Sequence, residues 1–491
     1  MLMSGEGDGD SGGDHPPALR NGDVSFWWRA RGGFPPRRPS LPGPADADVC
    51  IVGAGFTGLW TAYYLKEADP ALRIVILEAA FAGFGASGRN GGWLTSALPG
   101  SRERYARGPG GRAAVLGLQR QLQETVDEIA RVCAAEGIDA DLVKGGELEV
   151  ATTPAQHERL RGELAGHRQW GMREEDVAYL GPAELSSRVR IAGALGALYV
   201  PQSARIQPAK LVTGLADAVQ RAGVQIYEAT PVTRIVRRAP HQPDGAGPAA
   251  ARACTVFGDV TARYVLRATE GFTPRLPGQR RALLPMNSSM IVTEPLADEV
   301  WREIGWAGSE TIGDSAHVYM YAQRTADGRI ALGGRGIPYR FGSGLDHRGA
   351  TQPETIETLR RILRKLFPAA GGARIDHAWC GVLGVPRDWC ASVTLDRNAG
   401  LGWAGGYTGH GVAASNLAGR TLADLVMGAD SPRTALPWVG HRARRWEPEP
   451  LRWAGVHGLY ALYRAADSAE DNGSPRTSRL ARIGDRISGI P

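Results

Sequence analysis

Short apolar runs alternate with glycine-rich breaks near the start of the chain. Residues 49–52 form an apolar run that stops at a glycine, and Ile74–Leu77 form a second run that ends at an acidic residue. Residues 59–65 lie between these runs and are apolar with a spacing that suits a helix. The pattern predicts two buried strands joined by a helix, which is the beginning of an α/β fold with a parallel sheet.

The break after the first predicted strand carries glycines at G-x-G-x-x-G spacing. Gly53 permits a tight turn, Gly55 leaves room for a pyrophosphate against the backbone, and Gly58 lets the helix lie close to the strand. Glu78 ends the second strand, where its carboxylate can accept hydrogen bonds from both hydroxyls of an adenosine ribose and disfavours the 2′-phosphate of NADP. The sequence therefore predicts a dinucleotide site with the pyrophosphate at the helix N-terminus.

A second glycine-rich segment, residues 83–92, reads G-F-G-A-S-G-R-N-G-G. This density of glycine excludes a regular helix or strand and predicts a loop whose backbone approaches a ligand closely or adopts positive φ. A mobile surface loop is the alternative. Ser87, Arg89 and Asn90 favour the first interpretation, because they can bind a phosphate and the polar edge of a flat ring.

Residues 49–92 resemble the family of flavin-dependent amine and D-amino-acid oxidases, and the run G-A-S-G-R-N-G-G is most similar to its gamma-glutamylputrescine oxidase branch. The resemblance implies FAD rather than NAD. It also implies non-covalent binding, because the cysteine through which some relatives attach flavin matches Gly381, beside Cys380. A second match is the glycine-rich turn at residues 405–412, followed by a helix whose N-terminus points at the pyrimidine end of the flavin in that family.

The resemblance assigns cofactor contacts to residues spread over the chain. Val232 matches a backbone position at the adenine, and residues 268–271 match a strand end beside the pyrophosphate. Glu270 is inserted there before the glycine and is expected to point away from the pyrophosphate. The expected FAD-binding residues are Gly53, Gly55, Phe56, Thr57, Gly58, Glu78, Ala79, Gly85, Ala86, Ser87, Arg89, Asn90, Gly91, Gly92, Val232, Ala268, Thr269, Gly271, Gly406, Tyr407, Gly409, His410, Gly411 and Val412.

The fold implied by the resemblance is α/β, with a discontinuous Rossmann-like FAD-binding domain and an inserted α+β substrate domain built on an antiparallel sheet. Three aromatics at residues 26–28 interrupt the polar N-terminus and are expected to dock on the folded body. The expected limits are a disordered or extended arm at 1–44, the FAD-binding domain at 45–105, 195–285 and 375–430, the substrate domain at 106–194 and 286–374, and a C-terminal helical extension at 431–491.

The implied reaction is oxidation of the C–N bond of an amine or amino acid. A neutral amine passes a hydride to flavin N5, water hydrolyses the imine, and O2 reoxidises the flavin to give H2O2. A tyrosine pair can cage an amine and an arginine can bind a carboxylate, although each residue can also be structural. The candidates are His410 in the glycine-rich turn, Tyr319, Tyr321 and Arg324 on the predicted roof of the flavin, and Arg335 further along that roof.

Three alternatives to an amine oxidase stay open. The chain can be a dehydrogenase that uses an electron acceptor other than O2, or an enzyme for C–O or N-oxygenated substrates. It can also be a flavin-binding protein without turnover of its own, which docks through its C-terminal segment.

Composition and charge limit the partners. The net charge of +6 comes from scattered arginines without a compact basic stripe, so no nucleic-acid partner is expected. The 5 cysteines form no C-x-x-C pair, disulfide pattern or metal-ligand spacing, which favours the cytoplasm and predicts no metal site. A small amine or amino acid and O2 are the expected partners.

A basic amphipathic segment at residues 479–490 adds one further choice. Packing on the chain's own body or on a second copy in a homo-oligomer is favoured over contact with a membrane surface.

Overall fold

Two large β-sheets dominate the computed structural model, which describes residues 19–239, 250–334, 338–345 and 348–488. One sheet has eight strands and the other has nine, and Trp93–Thr95 pairs with Ser203–Arg205 in a small third sheet. The chain passes between the two large sheets several times, so each is assembled from separate segments.

The eight-stranded sheet contains the strands that the glycine pattern predicts. Ala45–Val52 pairs in parallel with Ile74–Leu77 on one side and with Gly258–Arg267 on the other. Its inner strands are almost continuously apolar because they are buried, and helices Phe56–Ala68 and Gly411–Met427 pack closely beside them. The remaining strands are Gln225–Tyr227, Arg234–Val236, Ala251–Thr255, Ser392–Asp396 and Leu401–Gly405.

The nine-stranded sheet is mostly antiparallel. Its apolar core includes the buried sides of helices Asp298–Ile304 and Pro353–Leu366, whose leucines and isoleucines fall on one helical face. The strands are Arg20–Asn21, Glu147–Ala151, Ala178–Leu180, Gly196–Val200, Leu284–Thr293, Thr311–Asp314, Met320–Arg324, Ile330–Gly334 and Ile375–Val385.

Two strands of this sheet correct the expected domain limits. Gly196–Val200 pairs with Glu147–Ala151, and Ile375–Val385 pairs with Leu284–Thr293. Both were expected in the FAD-binding segments 195–285 and 375–430, but their hydrogen bonds belong to the nine-stranded sheet. A short apolar run suits either sheet, so the sequence pattern alone does not separate the two.

The other helices surround the sheets. Gly111–Glu136 is the longest of those described and ends at Gly137, whose φ of +65° is the left-handed conformation that suits a helix C-cap. The remaining α-helices of the body are Arg102–Tyr105, Pro154–Gln169, Pro182–Arg188 and Pro208–Arg221, and the 3-10 turns are Ala86–Gly88, Glu270–Arg275, Phe341–Ser343, Pro368–Ala370 and Pro432–Ala435.

The N-terminal arm is only partly extended. Residues 1–18 lie outside the described part of the chain, but Phe26–Ala30 is a short helix whose three aromatic side chains are buried. Phe26 stacks on Trp379 with ring centroids 6.1 Å apart, and strand Arg20–Asn21 joins the nine-stranded sheet. The expectation of an arm that is extended or disordered up to residue 44 is therefore wrong for this segment, because its aromatics gain more from burial than a polar linker would.

Residues 446–488, which we call the C-terminal extension, form two helices, Leu451–Asp471 and Arg479–Ser488. The helices pack against each other, and Tyr460 and Tyr463 are buried. None of the helices in the described residues combines the length and apolar character that a membrane crossing requires.

Candidate active site

The glycine-rich segments converge on one cavity of about 520 Å³, which we call the cofactor cavity. Its walls come from the first turn of helix Phe56–Ala68, from the loop at residues 84–87, from the strand end at residues 268–272 and from the turn at residues 407–412. The amide groups of a first helical turn have no acceptor within the helix, so this wall offers hydrogen-bond donors to an anion.

The glycines of the first motif are required by close backbone contacts. A Cβ atom added to Gly58 would lie 2.0 Å from the carbonyl oxygen of Gly53. Gly53 itself has a φ of +108°, and its added Cβ would lie 2.6 Å from the carbonyl oxygen of Ala268. Helix, turn and neighbouring strand are thus packed at backbone distance, which leaves the space that a pyrophosphate needs.

Glu78, the residue expected to bind the ribose hydroxyls, lines the cofactor cavity. Its carboxylate accepts hydrogen bonds from the N–H groups of Ala54 at 2.8 Å and Ala80 at 2.9 Å. Burial raises the pKa of this carboxyl group, and the two backbone donors partly oppose that rise. Each carboxylate oxygen keeps a second lone pair, with which it can accept a hydroxyl donor.

The loop at residues 83–92 is fixed by its own side chains. The Ser87 hydroxyl accepts a hydrogen bond from the Phe56 N–H at 2.8 Å, which joins the loop to the first turn of the helix. The Asn90 amide donates to the carbonyl groups of Ala86 and Ser87 at 3.1 and 3.0 Å, and its oxygen accepts the Gly92 N–H at 2.8 Å. This is an ordered loop, so the alternative of a mobile surface loop is wrong.

Arg89 departs from the expected role in cofactor binding. Its side chain does not line the cavity; its Nε donates to the Phe84 carbonyl at 2.7 Å, and its guanidinium lies 4.4 Å from the centre of the Phe84 ring. Arg89 therefore stabilises the loop through contacts outside the cavity. Four further glycines do not line the cavity but permit close packing around it: Gly58, Gly91, Gly92 and Gly406.

Glu270 connects the strand end at residues 268–271 to the second glycine-rich turn. It has a φ of +38°, and its buried carboxylate accepts the N–H groups of Gly406 at 2.9 Å, Tyr407 at 3.3 Å and Gly384 at 3.3 Å. Burial raises its pKa to about 7. The carboxylate is directed at this turn, which gives the inserted residue a structural role that the sequence pattern did not reveal.

The turn at residues 405–412 separates two cavities. Tyr407, Gly409 and Gly411 line the cofactor cavity, whereas Thr408 and His410 line a second cavity of about 930 Å³. Because successive residues of this turn line different cavities, the two cavities lie on opposite sides of the turn, at the N-terminus of helix Gly411–Met427. We call the second space the substrate cavity.

Four carboxyl groups form one wall of the substrate cavity: Glu147, Glu149, Glu163 and Asp314. In the described part of the chain, no lysine or arginine nitrogen lies within 4.0 Å of any of them. Their hydrogen-bond donors are neutral, including Thr95 on Glu147 at 2.6 Å, Ser315 on Glu149 at 2.7 Å and the Met320 N–H on Asp314 at 2.9 Å. We call this set the acidic wall.

Burial is the main influence on the electrostatics of the acidic wall. Burial, and then the neighbouring charge of Glu163, raise the pKa of Glu149 to about 8. Burial raises the pKa of Asp314 to about 7. The Nε2 atom of His167 lies 3.5 Å from a carboxylate oxygen of Glu163. Burial and the nearby Arg102 lower the pKa of this imidazole to about 4, so the ring is neutral near physiological pH. Among the described residues the wall thus has no ion pair with a lysine or arginine, and the positive charge of the nearby Arg102 only partly opposes the rise that burial causes in the pKa of Glu163.

Two of the four predicted substrate contacts lie at the substrate cavity. Tyr319 and His410 line it, whereas Tyr321 packs on Trp93 and donates or accepts a hydrogen bond with the Ser288 hydroxyl at 2.8 Å. Arg324 does not line this cavity: its guanidinium lies 4.1 Å from the centre of the Trp301 ring and donates to the Trp306 carbonyl. Arg335 lies outside the described residues.

Sequence reasoning missed the acidic wall, although one signal was present. Glu147 and Glu149 alternate with Leu148 and Val150 in strand Glu147–Ala151, so both acids point to the same face of the sheet. Glutamates at such positions are uncommon in a strand whose neighbours are buried, and this pattern indicates a polar cavity on that side.

Cys380 bears on the attachment of the cofactor. Its thiol is buried and donates to the Ala350 carbonyl at 3.3 Å, and it does not line the cofactor cavity. Gly381 offers no side chain for a covalent bond. This arrangement supports non-covalent binding.

The fold and the cofactor cavity define a Rossmann-type, dinucleotide-binding protein with a second, mostly antiparallel sheet. The sequence model of the DAO family, described as FAD dependent oxidoreductase, matches residues 48–425. The chain belongs to this family, and its cofactor is FAD.

Relatives and solved structures agree with that assignment. Gamma-glutamylputrescine oxidoreductase of Escherichia coli K12 is 31% identical over 391 residues, which cover 78% of this chain and 84% of the relative. The crystal structure of glycine oxidase from Geobacillus kaustophilus has a TM-score of 0.64 at 22% identity and covers 79% of this chain and 96% of that one. L-proline dehydrogenase from P. horikoshii has a TM-score of 0.65 at 16% identity, covering 80% and 98%.

Proposed function

We propose that the chain oxidises the C–N bond of a small amine and that O2 reoxidises the reduced cofactor with release of H2O2. The acidic wall carries this proposal. FAD supplies the two-electron acceptor when it is bound, and the residues described above account for binding, orientation and proton handling.

The charge of the substrate cavity favours an amine over a simple amino acid. Among the described residues, no lysine or arginine pairs with the four carboxyl groups, so ionisation of any of them favours a cation in the cavity over a carboxylate. The three arginines that line the same cavity are placed differently: Arg159 is paired with Glu470 at 2.7 Å, and Arg476 and Arg482 are exposed. A carboxylate therefore has no inner cationic anchor among the described residues.

The acidic wall also suits the proton chemistry of the reaction. An amine is oxidised in its neutral form, so the bound ammonium must lose a proton. Burial and the charge of Glu163 raise the pKa of Glu149 to about 8, so its carboxylate is a stronger base than usual and can take up that proton once a bound cation has favoured the ionised form. Tyr319 and His410 lie on the side of the cavity next to the turn at residues 405–412, where they can orient the amine.

The names of the relatives support the substrate class. One is a gamma-glutamylputrescine oxidoreductase and another is a glycine oxidase. The first name denotes an amine with a long substituent, which suits a cavity of about 930 Å³ better than glycine does.

The test is an absorbance spectrum of the purified protein, repeated under anaerobic conditions with 1,4-diaminobutane, n-butylamine and glycine. We expect the flavin bands to bleach with the amines, to persist with glycine, and to return with air as peroxide appears. Return only with an added acceptor would indicate a dehydrogenase. Bands that persist with every amine would exclude the proposal and favour a flavin-binding protein without turnover.

A further inference from the structure

The C-terminal extension begins beyond the segment that the family model matches, which ends at residue 425, yet it covers the substrate cavity. Its second helix and the inner side of its first helix face the cavity. The residues that line it are Tyr460, Tyr463, Arg476, Thr477, Arg482 and Asp485.

The first helix of the extension is fixed to the substrate side of the cavity. The Asp467 carboxylate accepts the N–H groups of His317 and Val318, both at 2.9 Å. Glu470 is 2% exposed and receives two hydrogen bonds from the Arg159 guanidinium, both at 2.7 Å. These contacts hold the helix beside the segment that leads into Tyr319.

The two ends of the extension are fixed to the segment at residues 385–389. The Trp446 indole donates to the Val385 carbonyl at 2.7 Å, and the Trp389 indole donates to the Ser488 carbonyl at 3.3 Å. Trp389 also lines the cavity and has a φ of +63°, a strained conformation for a residue with a side chain. The extension therefore helps to keep this residue in the cavity wall.

Tyr463 is the central side chain of this cover. Its ring is 2% exposed and stacks on His317 with centroids 5.3 Å apart and planes 3° apart. Its hydroxyl donates to the Asp485 carboxylate at 2.6 Å, which joins the two helices of the extension. Tyr460 lies one turn away, is 3% exposed and contacts Met286. Two buried aromatic side chains, held by hydrogen bonds, thus line the same cavity as the acidic wall.

We propose that the C-terminal extension is a fixed roof of the substrate cavity and that Tyr463, supported by Tyr460, determines the size of the amine that this chain admits. The inference rests on the proposed function, since it assigns the substrate to this cavity. It places the size limit of the substrate in a segment outside the part of the chain that the family model matches.

The experiment measures the Kd of tetramethyl-, tetraethyl- and tetrapropylammonium by calorimetry on the FAD-loaded full chain. These cations cannot be oxidised by loss of an N–H proton, so their binding is independent of turnover. We expect wild type to bind tetramethylammonium best. Tyr463→Ala should improve tetrapropylammonium binding about tenfold and change tetramethylammonium less than about twofold, because the removed ring vacates space for the larger cation.

Trp453→Ala is the matched control, since Trp453 is an exposed aromatic on the same helix that does not line the cavity. If the alanine variant does not fold, Tyr463→Leu, which leaves a smaller void, should give an intermediate gain in tetrapropylammonium binding. Flavin content and melting temperature establish whether each variant is folded. An unchanged size preference in folded Tyr463 variants, or no binding of any of the three cations, would overturn the inference. Failure of amines to bleach the flavin would instead refute the proposed function alone.

Discussion

The cofactor cavity and the substrate cavity meet at one turn but are built from different chemistry. Backbone and small side chains form much of the first cavity, and its polar groups are amides, hydroxyls, the Arg275 guanidinium and two carboxylates held by backbone N–H donors. Ionisable and aromatic side chains dominate the second, and no lysine or arginine in the described part of the chain pairs with its acidic wall. The first cavity is therefore sensitive to added atoms, and the second is sensitive to removed charge.

From this difference we expect substitutions in the two cavities to act independently. Close packing of helix, turn and strand fixes the backbone of the cofactor cavity, so few substitutions are tolerated there. The substrate cavity is lined by side chains from the strand Glu147–Ala151, the helix Pro154–Gln169 and the C-terminal extension. Exchanges at these positions alter charge or size without moving the glycine-rich backbone.

The largest effect is expected for Gly58→Ala. The new methyl group would lie 2.0 Å from the Gly53 carbonyl oxygen, and backbone on both sides cannot yield without shifting the helix. Such overpacking lowers the free energy of unfolding by about 1–3 kcal/mol, and we expect FAD content to fall below about one tenth of wild type. Absorbance of the purified protein and its melting temperature measure both effects.

Gly117→Ala is the control for that substitution. Gly117 lies in helix Gly111–Glu136, and an added Cβ would meet no atom within 4 Å. Alanine is favoured over glycine in a helix by about 1 kcal/mol, so this variant should keep its FAD and melt no lower than wild type. Normal FAD content in Gly58→Ala would show that close packing is not what shapes the cofactor cavity.

A smaller effect, in the other cavity, is expected for Glu149→Gln. The folded pKa of about 8 exceeds the ordinary value of 4.5, so the folded state binds more protons than the unfolded state between these values. The contribution of Glu149 to stability is thus complete below the ordinary pKa and is lost as pH rises through the folded pKa. Melting temperature measured from pH 5 to pH 9 should fall less steeply in the variant.

Cation binding should show the opposite pH trend, because a cation favours the ionised carboxylate. We expect tetramethylammonium to bind wild type about tenfold more tightly at pH 9 than at pH 6, and Glu149→Gln to keep a smaller change of about threefold, which arises from Asp314 with its pKa of about 7. Glu158→Gln serves as the control, since Glu158 lies exposed on the same cavity. Equal pH dependence in wild type and both variants would show that Glu149 does not contribute to cation binding.

The sequence predicts the cofactor cavity better than the substrate cavity for a physical reason. Gly53, Gly58 and Glu78 occupy positions where backbone geometry permits few residue types, so their spacing alone identifies the site. The acidic wall joins residues from three distant segments, and no local spacing constrains them. Only the paired glutamates of strand Glu147–Ala151 gave a local signal.

The strand alternation separates two of the predicted roof residues. Side chains alternate along a strand, so Arg324 in Met320–Arg324 points to the face opposite Tyr321 and cannot share a site with it. The N-terminal aromatics show the reverse case: their burial was expected, but the surface they contact was not. That surface is the back of the loop at residues 83–92, which forms part of the cofactor cavity.

The smallest effect is expected for Trp27→Phe, which tests this N-terminal contact. The Trp27 indole donates to the Asn90 carbonyl at 2.7 Å, next to the Ser25 hydroxyl that donates to the Gly88 carbonyl at 2.6 Å. Loss of one buried hydrogen bond costs about 1 kcal/mol, and phenylalanine keeps most of the packing on Trp379. We expect FAD to bind about fivefold more weakly, as measured by titrating apoprotein with FAD, while Kd for tetramethylammonium in the loaded protein stays constant. Trp453→Phe should change neither constant. If Trp27→Phe left FAD binding at the wild-type level, the N-terminal helix would serve only to cover Trp379, and the order of the loop would have to come from Ser87 and Asn90 alone.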